Sequence, residues 1–428
     1  MLDHNLFLND FELTSKALLR KGISSEMIEE ARDAIQKRRE CQQETEVVRA
    51  DLNKNSKMIG ELIRKGEKAQ AEDAKKAVEA TKAKLHEKEA ELKSVEDAFH
   101  QCMLHLPNLP RQEVPEGLTE EQNVVIREHG YDAEHYKGKE FKPHWEVADQ
   151  LKLLDSQRAA KLCGSMFTIY CGDGAKLLRA LVQFALDINR DRYEELVVPH
   201  FVRSHTLEST GHLPKFAEDA FHMPEDDLWA IPTGEVPLTA LHANEILDFS
   251  TLPLRYMAYT SCFRREAGSA GKDTRGLQRL HEFHKVELVH ILPPELEEEG
   301  FNGLLADCER TLQQLELPYR VLELCAGDLT FSSSKIYDLE VYSPGVDRWL
   351  ECSSVGMFSD FQARRAGIRF RRDKKSKPEI AYTLNGSGLA TPRVMAAILE
   401  HGLQEDGTVK LPEVLHDYMK KSHLSPRG

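Results

Sequence analysis

No apolar run in this 428-residue chain approaches the roughly 18 residues that a membrane-crossing helix requires, so a spanning role is not expected. Cysteine is sparse. Its eight residues are scattered, Cys163 and Cys171 being the closest pair, which excludes both a Cys-x-x-Cys zinc pair and a dense disulfide framework and predicts reduced thiols. The opening Met1-Leu-Asp-His-Asn5 has neither the apolar core of a signal peptide nor the Arg-rich character of a transit peptide, so a cytoplasmic location is expected. Positive charge is also in deficit: a formal charge of −14 argues against a protein that coats nucleic acid non-specifically, although it leaves room for a local RNA-binding face.

Proline is missing altogether from Ile28 to Leu106, a stretch rich in Glu, Lys, Ala, Gln and Arg, and that composition favours long helix. Ala74, Val78, Thr81, Leu85, Lys88, Leu92, Val95, Phe99, Cys102 and Leu106 recur at alternating spacings of four and three, the seam of a coiled coil. Ile28, Ala31, Ile35, Leu52, Ile59 and Leu62 keep a similar register before a break near Arg64-Lys-Gly66. The spacing therefore predicts two antiparallel helices, each on the order of 50 Å long at about 1.5 Å per residue. Alone, such a hairpin is more simply a spacer or dimerisation device than an RNA-binding element.

Leu106-Pro-Asn-Leu-Pro110 stops the helix, because proline removes a backbone donor and pushes its neighbour extended. The expected domains are thus a helical arm over 1–110, a linker over 111–150, and an α+β domain over 151–428.

Four segments of that second domain stand out. The first is an apolar helix face (Leu177, Leu178, Leu181, Val182, Phe184, Ala185, Ile188) leading to Glu195-Leu-Val-Val-Pro199. In the second, Phe263-Arg-Arg-Glu266 and Leu280–Val289 flank a Gly/Ser-rich loop carrying Lys272 and Arg275, a pattern suited to closing over a polyanion. If both flanks are strands, Arg264 and Glu266 share one face, and Phe283 and Glu287 another. His281 and His284 lie three apart in a strand-like run, which does not fit the helical i, i+4 zinc pair, so no zinc is expected. The third segment, Ile231-Pro-Thr-Gly-Glu-Val-Pro237, places a hydroxyl two residues from a carboxylate; the fourth joins Glu351-Cys-Ser-Ser354 to Thr383-Leu-Asn-Gly-Ser-Gly-Leu-Ala390 and Arg393. Singly, each has an ordinary structural explanation.

Taken in order and at these spacings, they resemble the three motifs of class II aminoacyl-tRNA synthetases, and in detail the seryl-tRNA synthetase family over essentially the whole chain. Residues 263–289 resemble motif 2, Asn385 to Arg393 motif 3, and the helix before Pro199 motif 1; Asp360-Phe-Gln-Ala-Arg-Arg365 matches as well. The resemblance implies an antiparallel sheet flanked by helices, a homodimer formed through the motif 1 region, and a coiled-coil arm that reaches tRNA(Ser). It further implies attachment of L-serine to that tRNA through a seryl-adenylate, with release of AMP and pyrophosphate. ATP is the implied co-substrate and Mg²⁺ the implied metal.

By position, the resemblance makes Arg264 and Arg393 the catalytic arginines, and Thr233, Gly234, Glu235, Arg264, Glu287, Asn385 and Ser387 the serine pocket, with Glu287 facing the hydroxyl. ATP would meet Arg264, Arg265, Glu266, Phe283, Glu351, Cys352, Ser353, Ser354 and Arg393, with adenine between Phe283 and Arg393. Glu351 and Ser354 would ligate Mg²⁺ through oxygen. Thr233-Gly-Glu235 stands where the family usually has Thr-Ala-Glu, and glycine is expected to loosen that loop. Rival readings are an enzyme serving a non-tRNA acceptor, which would not need the arm, and an inactive binding paralogue, which would have lost the ATP-contacting residues. Whether tRNA(Sec) is also charged has no signature in the residues.

Overall fold

A computed structural model describes residues 1–267 and 275–426; Lys272 of the Gly/Ser-rich loop lies outside the described residues. The chain forms two compact units, one over Leu2–Pro107 and the other from Asn108 onward, with Met1 grouped in the second.

Helices α1 (Ser25–Lys65) and α2 (Lys68–Leu104) build the first unit as an antiparallel coiled coil. The Ser24 hydroxyl caps α1 by accepting from the Met27 amide, and Gly66 ends it at φ 77°, a left-handed conformation that glycine adopts without a Cβ clash. The seam is the one written in the spacing: Ile28, Ala31, Ile35, Ala74, Val78 and Val95 are buried, while Leu52, Ile59, Leu62, Leu85 and Leu92 are half-buried. Charged pairs lace its exposed flanks, among them Arg49–Glu89 at 2.9 Å and Lys88–Glu44 at 2.7 Å.

The second unit is organised by one eight-stranded sheet: β1 (Val124–His129), β2 (Glu194–Glu195), β3 (Leu254–Phe263), β4 (Glu282–Leu292), β5 (Tyr319–Glu323), β6 (Lys335–Ser343), β7 (Arg348–Ser359) and β8 (Tyr382–Ala390). Their spatial order is β1-β5-β6-β7-β8-β4-β3-β2, antiparallel throughout except for the two-residue β2 beside β3. The stretch expected as a linker therefore contains an edge strand. β1 has no alternating apolar face, since all six of its residues are exposed, and that left it without a strand signature.

Three helices, α3 (Asp173–Asn189), α4 (Glu297–Gln314) and α5 (Thr391–Gly402), join the sheet in a single large core. α4 lies close against β8. A Cβ on Gly386 would come within 3.0 Å of Leu304 Cδ1 and 3.2 Å of Cys308 Sγ, so only glycine lets helix and strand approach this far. With one face of the sheet given over to apolar packing, the central strands are left the other face for polar side chains.

Candidate active site

Strand periodicity collects the site. On β4, Phe283, Lys285 and Glu287 alternate onto one face; across the ladder they sit opposite Cys262, Thr260 and Ala258 of β3, and Ser387 of β8 lies opposite Glu287. Asn385 is two residues from Ser387 and shares its face, as does Ser354 of β7, two residues from Gly356, which is the partner of Asn385. Asn385-Gly-Ser-Gly388, which could have been a turn, is thus strand interior running directly into α5.

Glu351 and Ser354 are three residues apart and would point to opposite faces of a regular strand. A register shift between β6 and β7 prevents this: Asp338 pairs with Ser354 and Leu339 with Ser353, but Glu340 pairs with Glu351, so Cys352 is extra. This bulge returns Glu351 to the face of Ser354. It also turns two of the predicted nucleotide contacts away, since the buried Cys352 thiol donates to the Leu339 carbonyl at 3.3 Å and the Ser353 hydroxyl to the Ser387 carbonyl at 2.7 Å. Those two residues have only backbone atoms to offer on the polar face.

Glu287 lies at the bottom of the site, fully buried. Its Oε2 accepts from the Thr233 hydroxyl and is 2.8 Å from Lys285 Nζ, and its Oε1 accepts from Asn385 Nδ2 at 3.1 Å. A buried carboxylate held this way satisfies the requirement that desolvated charge be paired and hydrogen-bonded. Glu235, also buried, accepts from Gln362 Nε2 at 2.7 Å, and Gln362 in turn accepts from Thr383 Oγ1 at 2.7 Å. Burial first, and then the neighbouring Glu287, push the Glu235 carboxyl up to about 7. His212 is pushed down to about 3, by burial and then by Arg264 and Lys285, so it is a neutral wall.

The loop bearing Thr233 does not use glycine's freedom. Gly234 has φ −64° and ψ −17°, open to any residue, but a Cβ there would stand 3.1 Å from Thr260 Oγ1 and 3.2 Å from Glu287 Cβ. The constraint is contact rather than backbone, which corrects the expectation of a looser loop.

β3 ends at Phe263, so Arg264 and Glu266 do not alternate on a strand as expected. Glu266 instead takes a positive φ of 51°, a sparsely populated conformation for a residue with a side chain. Its carboxylate is 2.7 Å from Arg279 Nη1. The Arg264 guanidinium lies over Phe283, 5.1 Å from the ring centroid, with Nε donating to the Pro232 carbonyl at 3.3 Å. For Arg265 the described contact is a backbone bond to the Asp219 carbonyl. Arg393 emerges from the first turn of α5; its Nη1 donates to the Glu351 carbonyl and lies 3.6 Å from Glu351 Oε2. Each histidine of the rejected zinc pair has its own partner, His281 with the Arg264 carbonyl at 2.9 Å and His284 with the Tyr259 hydroxyl at 3.0 Å.

Oxygen crowds the bulged corner. Asp338 Oδ1 is buried and has no hydrogen-bond partner among the described residues, and burial followed by the charge of Glu351 raises the Asp338 carboxyl above the usual range. The orphaned Asp338 oxygen, across the ladder from Ser354 and next to the Glu340–Glu351 pair, gives this corner the oxygen chemistry that a hard divalent cation prefers. Glu340, however, is engaged by Arg320 at 2.6 Å, and among the described residues no three such side chains are gathered closely enough to hold a metal.

Lys285, Gln362, His212, Arg279 and Asp338 went unpredicted. Gln362 and Arg279 lie inside stretches that sequence reading singled out, and Lys285 sits two residues from Glu287, so period-two alternation alone could have nominated it. Asp338 depends on the bulge, and His212 on a long-range fold, for which no local signal exists.

Comparison with known proteins finds similarity along the whole chain. Residues 1–110 match the seryl-tRNA synthetase N-terminal domain, and residues 220–402 the class II tRNA synthetase core domain (G, H, P, S and T). The chain is 43% identical to a serine-tRNA ligase of Synechococcus sp. (strain RCC307), with 100% of each chain covered. It is 46% identical to that of Geobacillus kaustophilus, with 98% of each covered. Among solved structures, a seryl-tRNA synthetase from Pyrococcus horikoshii complexed with ATP superposes with a TM-score of 0.93 at 34% identity, covering 100% of both chains.

Proposed function

Because the chain belongs to the seryl-tRNA synthetase family, we propose that the polar sheet face around Glu287, Arg264 and Glu351 is where it activates L-serine with ATP. The enzyme is a class II aminoacyl-tRNA synthetase and attaches serine to tRNA. The observation that carries the assignment is the convergence of two chemistries on one face, a carboxylate-lined pocket at Glu287 and an arginine- and oxygen-rich ledge at Arg264, Arg393 and Glu351.

In this reading Arg264 bridges the serine carboxylate and the α-phosphate, bringing nucleophile and electrophile together without any side-chain nucleophile. Attack of the carboxylate on the α-phosphorus forms seryl-adenylate and expels pyrophosphate; the terminal ribose hydroxyl of tRNA then takes the acyl group and AMP leaves. Phe283 and Arg393 clamp adenine, a flat guanidinium being suited to stacking, and Glu266 accepts from its amino group. Glu351 and Ser354 would hold Mg²⁺, the Asp338 carboxyl lying across the ladder from Ser354. When bound, the ion supplies positive charge against the phosphates.

Glu287 accepts the serine hydroxyl, while Thr233, Glu235, Asn385 and Ser387 complete the pocket. Alanine would leave that buried carboxylate without its partner, and a site built to bond a hydroxyl rejects such an analogue by roughly 10⁴–10⁵. The coiled-coil arm carries tRNA(Ser). The chain works as a homodimer through the α3 region, where Val197 and Phe201 stand exposed at 95% and 48%. Eight free cysteines suit the cytoplasm.

Amino-acid-dependent pyrophosphate exchange into ATP, run with serine, threonine, alanine and glycine, tests the reading without tRNA. Serine is expected to exceed the others by orders of magnitude. Equal exchange with alanine would remove Glu287 from the hydroxyl.

A further inference from the structure

The two buried carboxylates of the pocket differ in what already neutralises them. Glu287 has a cation of its own: Lys285 Nζ stands 2.8 Å from Oε2 and 3.4 Å from Thr233 Oγ1, and the Thr233 hydroxyl donates to that same oxygen. Lys285 is itself buried, so water screens little of this charge. Glu235, by contrast, is bonded to a neutral group, the Gln362 amide at 2.7 Å; Lys285 and Arg264 reach it only through their field.

A substrate with one ammonium and one hydroxyl meets these two acceptors as unlike partners. Next to Glu287 a second cation would be repelled by Lys285, whereas a hydroxyl can still donate to Oε1, whose lone pairs are not exhausted by Asn385. Next to Glu235 no full charge is in place, and an ammonium there supplies the missing one.

We propose that Lys285 is a specificity-determining residue: by neutralising Glu287 on its Thr233 side, it reserves that carboxylate for an uncharged hydroxyl and leaves Glu235 as the seat of the substrate ammonium. The proposal rests on the serine-pocket reading above and adds to it the reason serine binds in one orientation. It also explains why the pocket carries a lysine that no phosphate chemistry requires.

The test is L-2,3-diaminopropionate, which puts an amine where serine has its hydroxyl, assayed by pyrophosphate exchange at mildly acidic pH so that this amine is charged. Wild-type enzyme should prefer serine strongly. Lys285→Met should raise diaminopropionate use relative to serine by at least about tenfold while KM for ATP stays within about twofold, and Lys285→Arg, which keeps the charge, should hold the wild-type preference. An unchanged ratio in Lys285→Met, or equal loss of both substrates, would overturn the proposal. Should that variant fail to fold, diaminopropionate inhibition of wild-type serine exchange decides instead: a Ki near the serine KM overturns the proposal, and one at least about tenfold weaker sustains it. Glu287→Gln separates the two levels. If it leaves serine KM unmoved, the pocket reading itself fails; if it raises serine KM while Lys285→Met leaves the ratio alone, only the role of Lys285 fails.

Discussion

The arm and the sheet face use charge in opposite ways. Along the coiled coil, ion pairs such as Arg49–Glu89 have side chains 53% and 46% exposed and sit beside a seam that would hold without them. On the sheet, Lys285 and Glu287 are 10% and 0% exposed, and neither could be lost without stranding the other. Charge that is plentiful and exposed sets solubility and register; charge that is rare and buried sets chemistry.

That contrast can be broken at its strongest point first. Glu287→Ala should lower kcat/KM for serine in pyrophosphate exchange by roughly 10³–10⁵, since the hydroxyl loses its acceptor and Lys285 its counter-ion, with ATP KM little changed. Unchanged serine kinetics would put buried and exposed charge on the same footing. Next, shortening the hairpin by replacing residues 50–80 with a tight turn should cut tRNA charging by about 10² or more, equivalent to losing two or three charged contacts, and spare exchange. A parallel fall in exchange would show that the two regions are not functionally separable.

The comparison is sharpened by pH. The Glu235 carboxyl, raised to about 7 by burial and then by Glu287, favours the folded state most below the ordinary carboxyl range, and this contribution is lost as pH rises through about 7. An ammonium ligand needs the charged form, so serine KM should run the other way, rising roughly tenfold per unit as pH falls below about 7. Glu235→Gln should flatten both profiles, as read by thermal melts and exchange kinetics. The smallest effect belongs to the arm: Arg49→Ala should cost less than about 1 kcal/mol in denaturant unfolding.

The arm was legible almost residue by residue, because a coiled coil is specified by spacing, and Ala74, Val78 and Val95 are buried where the heptad puts them. The sheet face was legible as motifs but not as geometry. Alternation correctly grouped Phe283 with Glu287, yet placed Arg264 and Glu266 on a strand that ends at Phe263. β1 was invisible because an edge strand exposed along its length carries no periodicity. Asp338 and His212 enter only through pairings and burial that join distant parts of the chain, and the sequence could not say that Cys352 and Ser353 turn their side chains inward and keep only backbone atoms for the polar face.

The extra residue at Cys352 also acts as a parity switch on the chain. From Ser353 to Met357 the strand is in phase with β8 and the serine pocket, until a second shift at Phe358, while everything up to Glu351 is in phase with the outer strands and their acidic side chains. One inserted residue lets two numbering schemes, odd on one side and even on the other, write to the same surface. Removing it would leave every side chain of the hairpin chemically intact but reverse which half of β7 faces outward, so Glu351 and Ser354 could no longer act together. An odd spacing between two oxygen ligands on one strand is therefore itself a readable sign that a bulge lies between them.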